Sequence, residues 1–244
     1  MKNIRIVAAA LPAIALAFVA GTAHAQVVNG SFGNGLAGWT TGGDAAVVGT
    51  HLSLTNATTD GSDDADGIVR NLSGNAPLVS GQPGGLEDTA GLAQGALDPD
   101  AADAITATEG SVASQTFLAA AGSQLSFQWD LSTLDQSGDA TFADIAFVVI
   151  DGKLITLGSA LDATTPLAGG SYAAHTGWAD WSTTFATAGS HTISFGIADI
   201  GDYGVSSALD IADVNVSSVP ESSTLALMAA GLALLILQRR RRDA

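Results

Sequence analysis

The chain has 244 residues, no cysteine, and 24 acidic against eight basic residues, which gives a formal net charge of −16. Between residues 26 and 219 only Arg70 and Lys153 are basic against 22 acidic residues, so this part alone carries −20. Such a surface repels phosphate backbones and excludes nucleic acid as a partner. The lack of cysteine excludes a disulfide framework, so the fold must be held by packing or by bound ions.

Residues 1–25 have the pattern of a secretory signal peptide. A basic start and a short apolar run precede small residues at Ala23 and Ala25, the positions that a signal peptidase reads. We expect cleavage before Gln26, and an uncleaved N-terminal anchor is the alternative. The mature domain, residues 26–217, is then long enough to bury one sizeable core.

The mature domain is predicted to be all-β, because strand-like runs separated by Gly-rich turns recur and no long helical periodicity is present. These runs cover residues 45–54, 111–118, 124–131, 144–150, 153–157, 181–187, 190–198 and 208–216. Asp151-Gly152 between two apolar runs predicts a β-hairpin. A second hairpin is predicted around Ala188-Gly189. Short strands joined in this way indicate an antiparallel β-sandwich.

The two ends of this domain resemble jelly-roll carbohydrate-binding modules. The motif Asn29-Gly30-Ser31-Phe32, followed by Gly38-Trp39, is similar to their opening segment, and residues 207–214 are similar to their last strand. The resemblance implies a jelly roll in which the two segments lie near each other. Gly33 stands where these modules often have an acidic residue that holds a structural calcium, so this ligand is missing here.

A Gly- and Asp-rich insertion at about 60–107 interrupts the strands. Connections of this length are usually functional loops or locally disordered segments. The densest acids are Asp60, Asp63, Asp64 and Asp66, which offer the hard oxygen ligands that calcium prefers. No glutamate and no flanking helices complete an EF-hand. A looser structural calcium turn and a solvated acidic loop both remain open, and no other cofactor is expected.

Three aromatic residues are candidates for stacking on a sugar ring. Trp178 and Trp181 flank Asp180, and Tyr172 lies shortly before them. Because alternate residues of a strand face opposite sides, positions 178 and 181 should point apart, one into the core and one outward. The alternative is that all three pack at the entrance of a strand, since tryptophan is mostly buried.

No catalytic motif accompanies these candidates, and we expect a protein that is not an enzyme. The sequence has no cysteine nucleophile, no Gly-x-Ser-x-Gly elbow, no His-Glu-x-x-His and no phosphate-binding loop. Acidic residues are numerous enough that a glycosidase pair stays open as the rival hypothesis. Asp130 and Asp144, which end or start predicted strands, are its first candidates.

The C-terminal segment, residues 218–244, combines a short motif, an apolar run and a basic cluster. The motif is Val219-Pro220-Glu221-Ser222, the apolar run is Leu225 to Leu237, and the cluster is Arg239, Arg240, Arg241 and Arg242. The run predicts a short transmembrane helix of about 20 to 24 Å, with the arginines as its cytoplasmic anchor.

This layout resembles the PEP-CTERM sorting domain of Gram-negative bacteria. Pro220 and Glu221 match the family motif, and Ser222 replaces its second proline. The resemblance implies processing by an exosortase-type membrane enzyme, and an association with exopolysaccharide production. We therefore expect a precursor that is held at the inner membrane with its domain in the periplasm, and later lies at the cell surface or outside. The expected role is in the matrix, either binding polysaccharide or as a purely structural protein.

Overall fold

The computed structural model describes residues 26–100, 102, 104–217 and 222–242. Its strands are β1 (Thr40–Gly42), β2 (Asp44–Val48), β3 (His51–Thr55), β4 (Leu78–Val79), β5 (Ala107–Ala119), β6 (Gln124–Thr133), β7 (Ile145–Ile150), β8 (Lys153–Ser159), β9 (Thr165–Pro166), β10 (Ala174–His175), β11 (Ala179–Thr184), β12 (Gly189–Ile200) and β13 (Ser207–Ser217). Its helices are α1 (Leu86–Ala90) and α2 (Ser222–Arg242), with a 3-10 turn at Ala160–Asp162.

Strands β1 to β13 form two antiparallel sheets. In the first sheet the order is β1-β5-β12-β7-β8, with β4 beside β5. In the second sheet the order is β2-β3-β13-β6-β10-β9, and β11 pairs with β6. Every pairing between the named strands is antiparallel, and the strands that pair are mostly distant in sequence.

Alternate side chains of the two sheets fill one core between them. On β6 the apolar residues recur at every second position, from Leu125 to Leu131, and all four are buried. The Phe127 ring meets Phe195 of β12 edge to face, with 4.8 Å between ring centroids. The prediction of an antiparallel β-sandwich is therefore confirmed, because a strand presents alternate side chains to the same face.

The segment from Asn29 to Trp39 forms a series of turns and not an opening strand. Its Phe32 and Trp39 side chains are buried in the core, and their ring centroids are 5.4 Å apart. The backbone N–H of Val214, on the last strand, donates to the carbonyl oxygen of Gly30. The two terminal segments of the domain thus lie side by side, as the resemblance to jelly-roll modules implied.

One predicted hairpin is confirmed and the other is wrong. Asp151 and Gly152 have the positive φ angles of a tight hairpin turn, 51° and 77°, and they join β7 to β8. Strand β11, by contrast, pairs with β6 in the second sheet, whereas β12 lies in the first sheet. Phe185 is buried between these two strands, so the chain crosses from one sheet to the other there.

The insertion at 60–107 covers the outer face of the first sheet. Leu86 and Ala90 of α1 and Leu97 pack with Phe147 of β7 and Ala198 of β12 in a second hydrophobic cluster. This second cluster buries the outer face of β7 and β12, and the core buries their inner face. Because both faces are buried, apolar residues occupy consecutive positions along much of these two strands. The insertion is an ordered third layer of the domain.

The apolar C-terminal run lies on helix α2, which begins at Ser222 and ends at Arg242. Across the described parts of the chain, no helix is long and apolar enough to cross a membrane. The apolar part of α2, Leu225 to Leu237, is shorter than the roughly 20 residues that commonly span a bilayer core, and its insertion stays a prediction.

A glycine substitution tests the packing of the central strands. A Cβ atom at Gly196 would lie 2.2 Å from the Phe147 ring, whereas the nearest atom to one at Gly33 is 3.8 Å away. We expect Gly196→Ala to lower the free energy of unfolding by about 1–3 kcal/mol, because the buried ring must move. Gly33→Ala should change it little. Equal urea midpoints for the two variants would contradict this packing.

Candidate functional site

A shallow groove lies on the outer face of the second sheet, away from the core. Because Leu52, Leu54, Leu209 and Leu131 point inward, their strand neighbours point outward. These outward residues are His51 and Ser53 of β3, Asp210 of β13, and Asp130 and Ser132 of β6. The groove contains an open cavity of about 290 Å³. We call this feature the sheet groove.

Two carboxylates lie side by side on the floor of the sheet groove. Asp210 and Asp130 are directly opposite each other in the pairing of β13 with β6. A histidine accompanies each of them: His51 Nε2 lies 3.7 Å from Asp210 Oδ1, and His175 Nδ1 lies 2.8 Å from Asp130 Oδ2. Burial raises the pKa of Asp210, and the nearby Asp130 adds to this rise. The floor is therefore rich in hydrogen-bond acceptors and donors.

Arg70 builds one wall of the sheet groove from the insertion. Its Nη1 donates to Asp64 at 2.8 Å, its Nη2 to Asp66 at 2.7 Å, and its Nε to the carbonyl of Ser171 at 2.6 Å. The guanidinium also lies 5.9 Å from the centre of the Tyr172 ring. Hydrogen bonding to Arg70 lowers the pKa of Asp66 to about 2. This one side chain fixes the insertion to the segment that precedes β10.

The three aromatic candidates have different surroundings. The Trp178 side chain is 47% exposed, and its ring meets His51 edge to face at 5.7 Å. Tyr172 is half-buried in the groove wall, and burial raises the pKa of its hydroxyl. Trp181 is half-buried and stacks on Phe127 at 4.9 Å, where it packs against the core. The structure thus brings Trp178 and Tyr172 to one groove and leaves Trp181 outside it.

The acids of the predicted calcium turn have hydrogen-bond donors as partners. Asp60 accepts from the backbone N–H of Ser62. Asp63 accepts from Thr58 and Ser206, while Asp64 and Asp66 face Arg70. Within the described residues, no group of three or more acidic or histidine side chains is arranged to hold a metal ion. The expected cluster at these four positions is therefore not formed, because Arg70 takes the place of a cation.

Asp130 and Asp144, the two candidates of the glycosidase hypothesis, lie in different places. Asp130 is in the sheet groove, where Thr176 Oγ1 also donates to it at 3.0 Å. Asp144 is fully buried at one end of the sandwich, and its Oδ2 accepts from Asn56 Nδ2 at 2.9 Å. Burial raises the pKa of Asp144 to about 8. The carboxylate opposite Asp130 is Asp210 instead.

Sequence analysis did not find His51, Arg70 or Asp210. The alternation in His51-Leu52-Ser53-Leu54 and in Ala208-Leu209-Asp210-Ile211 marks His51 and Asp210 as outward facing. Arg70 lies in the insertion and belongs to no such pattern. Alternation cannot show that β13 lies between β3 and β6, which is the arrangement that makes their side chains neighbours.

Five of the eleven terminal candidates lie outside the described residues. Those outside are Ala23, Ala25, Val219, Pro220 and Glu221. Gln26 is the first described residue and is exposed. Ser222 begins α2, and Arg239 to Arg242 form its last turn.

Two of the solved structures that resemble this chain are described here. No protein-family model and no curated protein matches the chain. A solved structure of the module TmCBM61 in complex with beta-1,4-galactotriose is 11% identical, with a TM-score of 0.38 over 80% of this chain and 99% of that chain. The K3 adhesin domain of Lys-gingipain from Porphyromonas gingivalis is 13% identical, with a TM-score of 0.41 over the same shares. Both scores are too low to transfer a ligand or a site.

Removing the Arg70 charge should destabilise the whole domain. The Arg70 and Asp64 side chains are 3% and 1% exposed, so Arg70→Gln leaves a buried carboxylate without its partner. We expect a loss of about 3 kcal/mol in the free energy of unfolding, measured by urea denaturation. Lys153→Gln, which removes the other positive charge of the domain at an exposed position, is the matched control. Equal losses in the two variants would show that the buried ion pair contributes nothing particular.

Proposed function

We propose that this protein is an exported, non-catalytic module that binds a polysaccharide in the sheet groove. The observation that carries the proposal is the exposed indole of Trp178 beside His51 at the groove. A large aromatic ring that stays in water, next to polar groups on a rigid sheet, is what recognition of a sugar requires. The apolar face of the ring covers the C–H face of the sugar, and the polar groups bind its hydroxyls.

The floor of the sheet groove supplies the polar half of this recognition. Asp130 and Asp210 can accept hydrogen bonds from sugar hydroxyls, and His51 and Ser53 lie on the same outward face. These side chains extend from paired strands of one sheet, so little entropy is lost when a ligand orders them. Tyr172 adds an aromatic surface to the wall.

Charge selects the class of polysaccharide. The groove contains two aspartates, and the domain has a net charge of −20 from two basic and 22 acidic residues. Arg70, which lines the groove, already has its guanidinium engaged by Asp64, Asp66 and Ser171. Uronic acids and sulfated sugars would therefore be repelled. The proposed ligand is a neutral polysaccharide.

The proposal includes a route to the cell surface. The signal-peptide pattern of residues 1–25 supports export and removal by a signal peptidase. The order of Pro220-Glu221, an apolar run and four arginines supports sorting by an exosortase-type enzyme. The resemblance of this C-terminal layout to the PEP-CTERM sorting domain supports a role in an exopolysaccharide matrix, and the jelly-roll resemblance supports glycan binding.

Substitution of Trp178 tests the binding site. We expect Trp178→Ala to weaken binding to a neutral glycan, identified on a glycan array, by about tenfold or more with little change in Tm. Tyr203→Ala is the matched control, because Tyr203 is an exposed aromatic residue outside the groove. If the wild-type protein binds no glycan on the array, the module is a purely structural matrix protein and the binding proposal is wrong.

A second candidate function rests on the facing carboxylates. Directly opposed side chains on neighbouring strands have Cβ atoms about 5 Å apart, and retaining glycosidases place their two carboxyl groups at a similar separation. Asp130 and Asp210 are such a directly opposed pair. Release of soluble sugars from the bound polysaccharide, abolished by Asp130→Asn, would favour hydrolysis over binding alone.

Mass spectrometry of the exported protein tests the sorting proposal. We expect the mature protein to begin at Gln26 and to lack the residues that follow the Pro220-Glu221 motif. Replacing Pro220 and Glu221 with alanine should leave the C-terminal segment in place. A mature protein that retains Arg239 to Arg242 in its natural host would rule out removal of this segment.

A further inference from the structure

Two buried carboxylates face each other at an irregularity in the first sheet. Strands β5 and β12 pair in register up to Gly110 and Ala198, but the next pair joins Ala107 to Ile200. Two residues of β5, Thr108 and Glu109, therefore lie opposite the single residue Asp199 of β12. This is a β-bulge, a feature that often redirects side chains next to functional sites. Glu109 is 8% exposed and Asp199 is 2% exposed.

Both carboxylates have an oxygen without a hydrogen-bond partner. Glu109 Oε1 and Asp199 Oδ1 are buried and accept no hydrogen bond from the described residues. Such atoms are rare, because a buried acceptor without a donor loses its hydration without compensation. Both carboxylates belong to the same bulge, and the charge of Glu109 acts on Asp199.

The charges around this pair are all negative. Asp63 of the insertion lies near Glu109, and Asp144 and Asp202 lie near Asp199. Burial raises the pKa of Glu109 to about 7, and Asp63 adds to this rise. Burial also raises the pKa of Asp199 to about 10, and Asp144, Asp202 and Glu109 add to it.

No side-chain cation of residues 26–217 is available to neutralise the pair. Arg70 is already paired with Asp64 and Asp66. Lys153 lies at the hairpin that joins β7 to β8, at the opposite end of β7 from Asp144. The pair must either hold protons, against the preference of a carboxyl group in water, or bind an external cation.

We propose that Glu109 and Asp199 bind a calcium ion at this bulge. The donors are oxygens alone, which suits a hard cation and excludes zinc and copper sites built on nitrogen or sulfur. Two carboxylates leave most of the calcium ligands to main-chain oxygens and water. The same bulge holds main-chain oxygens as well, since Thr108 Oγ1, next to Glu109 in sequence, donates to the carbonyl oxygens of Asp199 and Asp202. Calcium tolerates such irregular, mixed coordination, whereas magnesium requires a near-ideal octahedron.

This site is distinct from the acidic turn at residues 60–66 and from the sheet groove. It does not depend on the proposed glycan binding, so either proposal can fail alone. Its ion would neutralise the most costly charges of the fold, and its effect should be seen first in stability.

Thermal unfolding of the full chain tests the proposal, with calcium chloride compared against EDTA and against potassium chloride of equal ionic strength. We expect millimolar calcium to raise Tm by about 5 °C or more, and potassium to have no such effect. The variants Glu109→Gln and Asp199→Asn should each abolish the calcium-induced rise in Tm. In EDTA, each variant should unfold at or above the wild-type Tm, because each substitution removes a repulsive charge. Asp60→Asn, an exposed carboxylate of the acidic turn, should keep the full shift.

The proposal is overturned if calcium does not shift the wild-type Tm, if magnesium shifts it equally, or if the shift survives in both carboxylate variants. Should a variant fail to fold, calorimetric titration of the wild-type protein with calcium decides. One bound ion per chain is expected, and the absence of binding heat together with an unchanged Tm refutes the site.

Discussion

The contact between Phe127 and Phe195 is the point on which the domain depends, because it joins the two sheets at the centre of a core that has no disulfide to support it. Trp39 packs on Phe195 at 5.8 Å and brings the N-terminal turns into the same cluster. Trp181 stacks on the other side of Phe127. Chains of tilted and edge-to-face rings bury much apolar area and fix their own geometry. A protein rich in glycine, alanine and serine thereby obtains one well-defined arrangement of its sheets.

This core leaves the outer faces of the sheets free for different uses. The insertion covers the outer face of the first sheet with a second hydrophobic cluster. The outer face of the second sheet stays polar and forms the groove. Ser206 connects the two regions, because its hydroxyl donates to Asp64, the partner of Arg70 at the groove wall, and to Asp63, the neighbour of Glu109 at the bulge. One loop of acidic residues thus supports both proposed sites.

The sequence was sufficient to predict most of the long strands, and insufficient to predict their neighbours. Residues 45–54, predicted as one run, form the two paired strands β2 and β3 instead. Period-two alternation marks β6 and β13 clearly, and the Asp151-Gly152 turn requires a hairpin because both residues must take positive φ. The break at Phe185 looks the same in sequence as a second hairpin. Only the packing of Phe185 in the core decides that the chain changes sheets there. The apolar runs of β7 and β12 indicate that both faces of these strands are buried. They do not indicate that the insertion is the segment that covers the outer face.

The candidate sites show the same limit in their chemistry. A cluster of aspartates in a Gly-rich loop indicates a cation, and the structure supplies one in Arg70, which is close in sequence but was not connected with the loop. Glu109 and Asp199, each of which has one buried oxygen without a hydrogen-bond donor, are 90 residues apart and sit in ordinary strand patterns. Their proximity arises from a one-residue irregularity in the pairing of two long strands, which no local pattern reveals.

The position of β13 has a consequence for the order in which the domain can form. It is the last strand of the chain, yet it lies in the middle of the second sheet, between β3 and β6. During synthesis these two strands have no partner on their facing edges until about residue 217 has been made. Contacts of such long sequence separation close late in folding. The second sheet therefore cannot be completed until the domain has been synthesised almost in full.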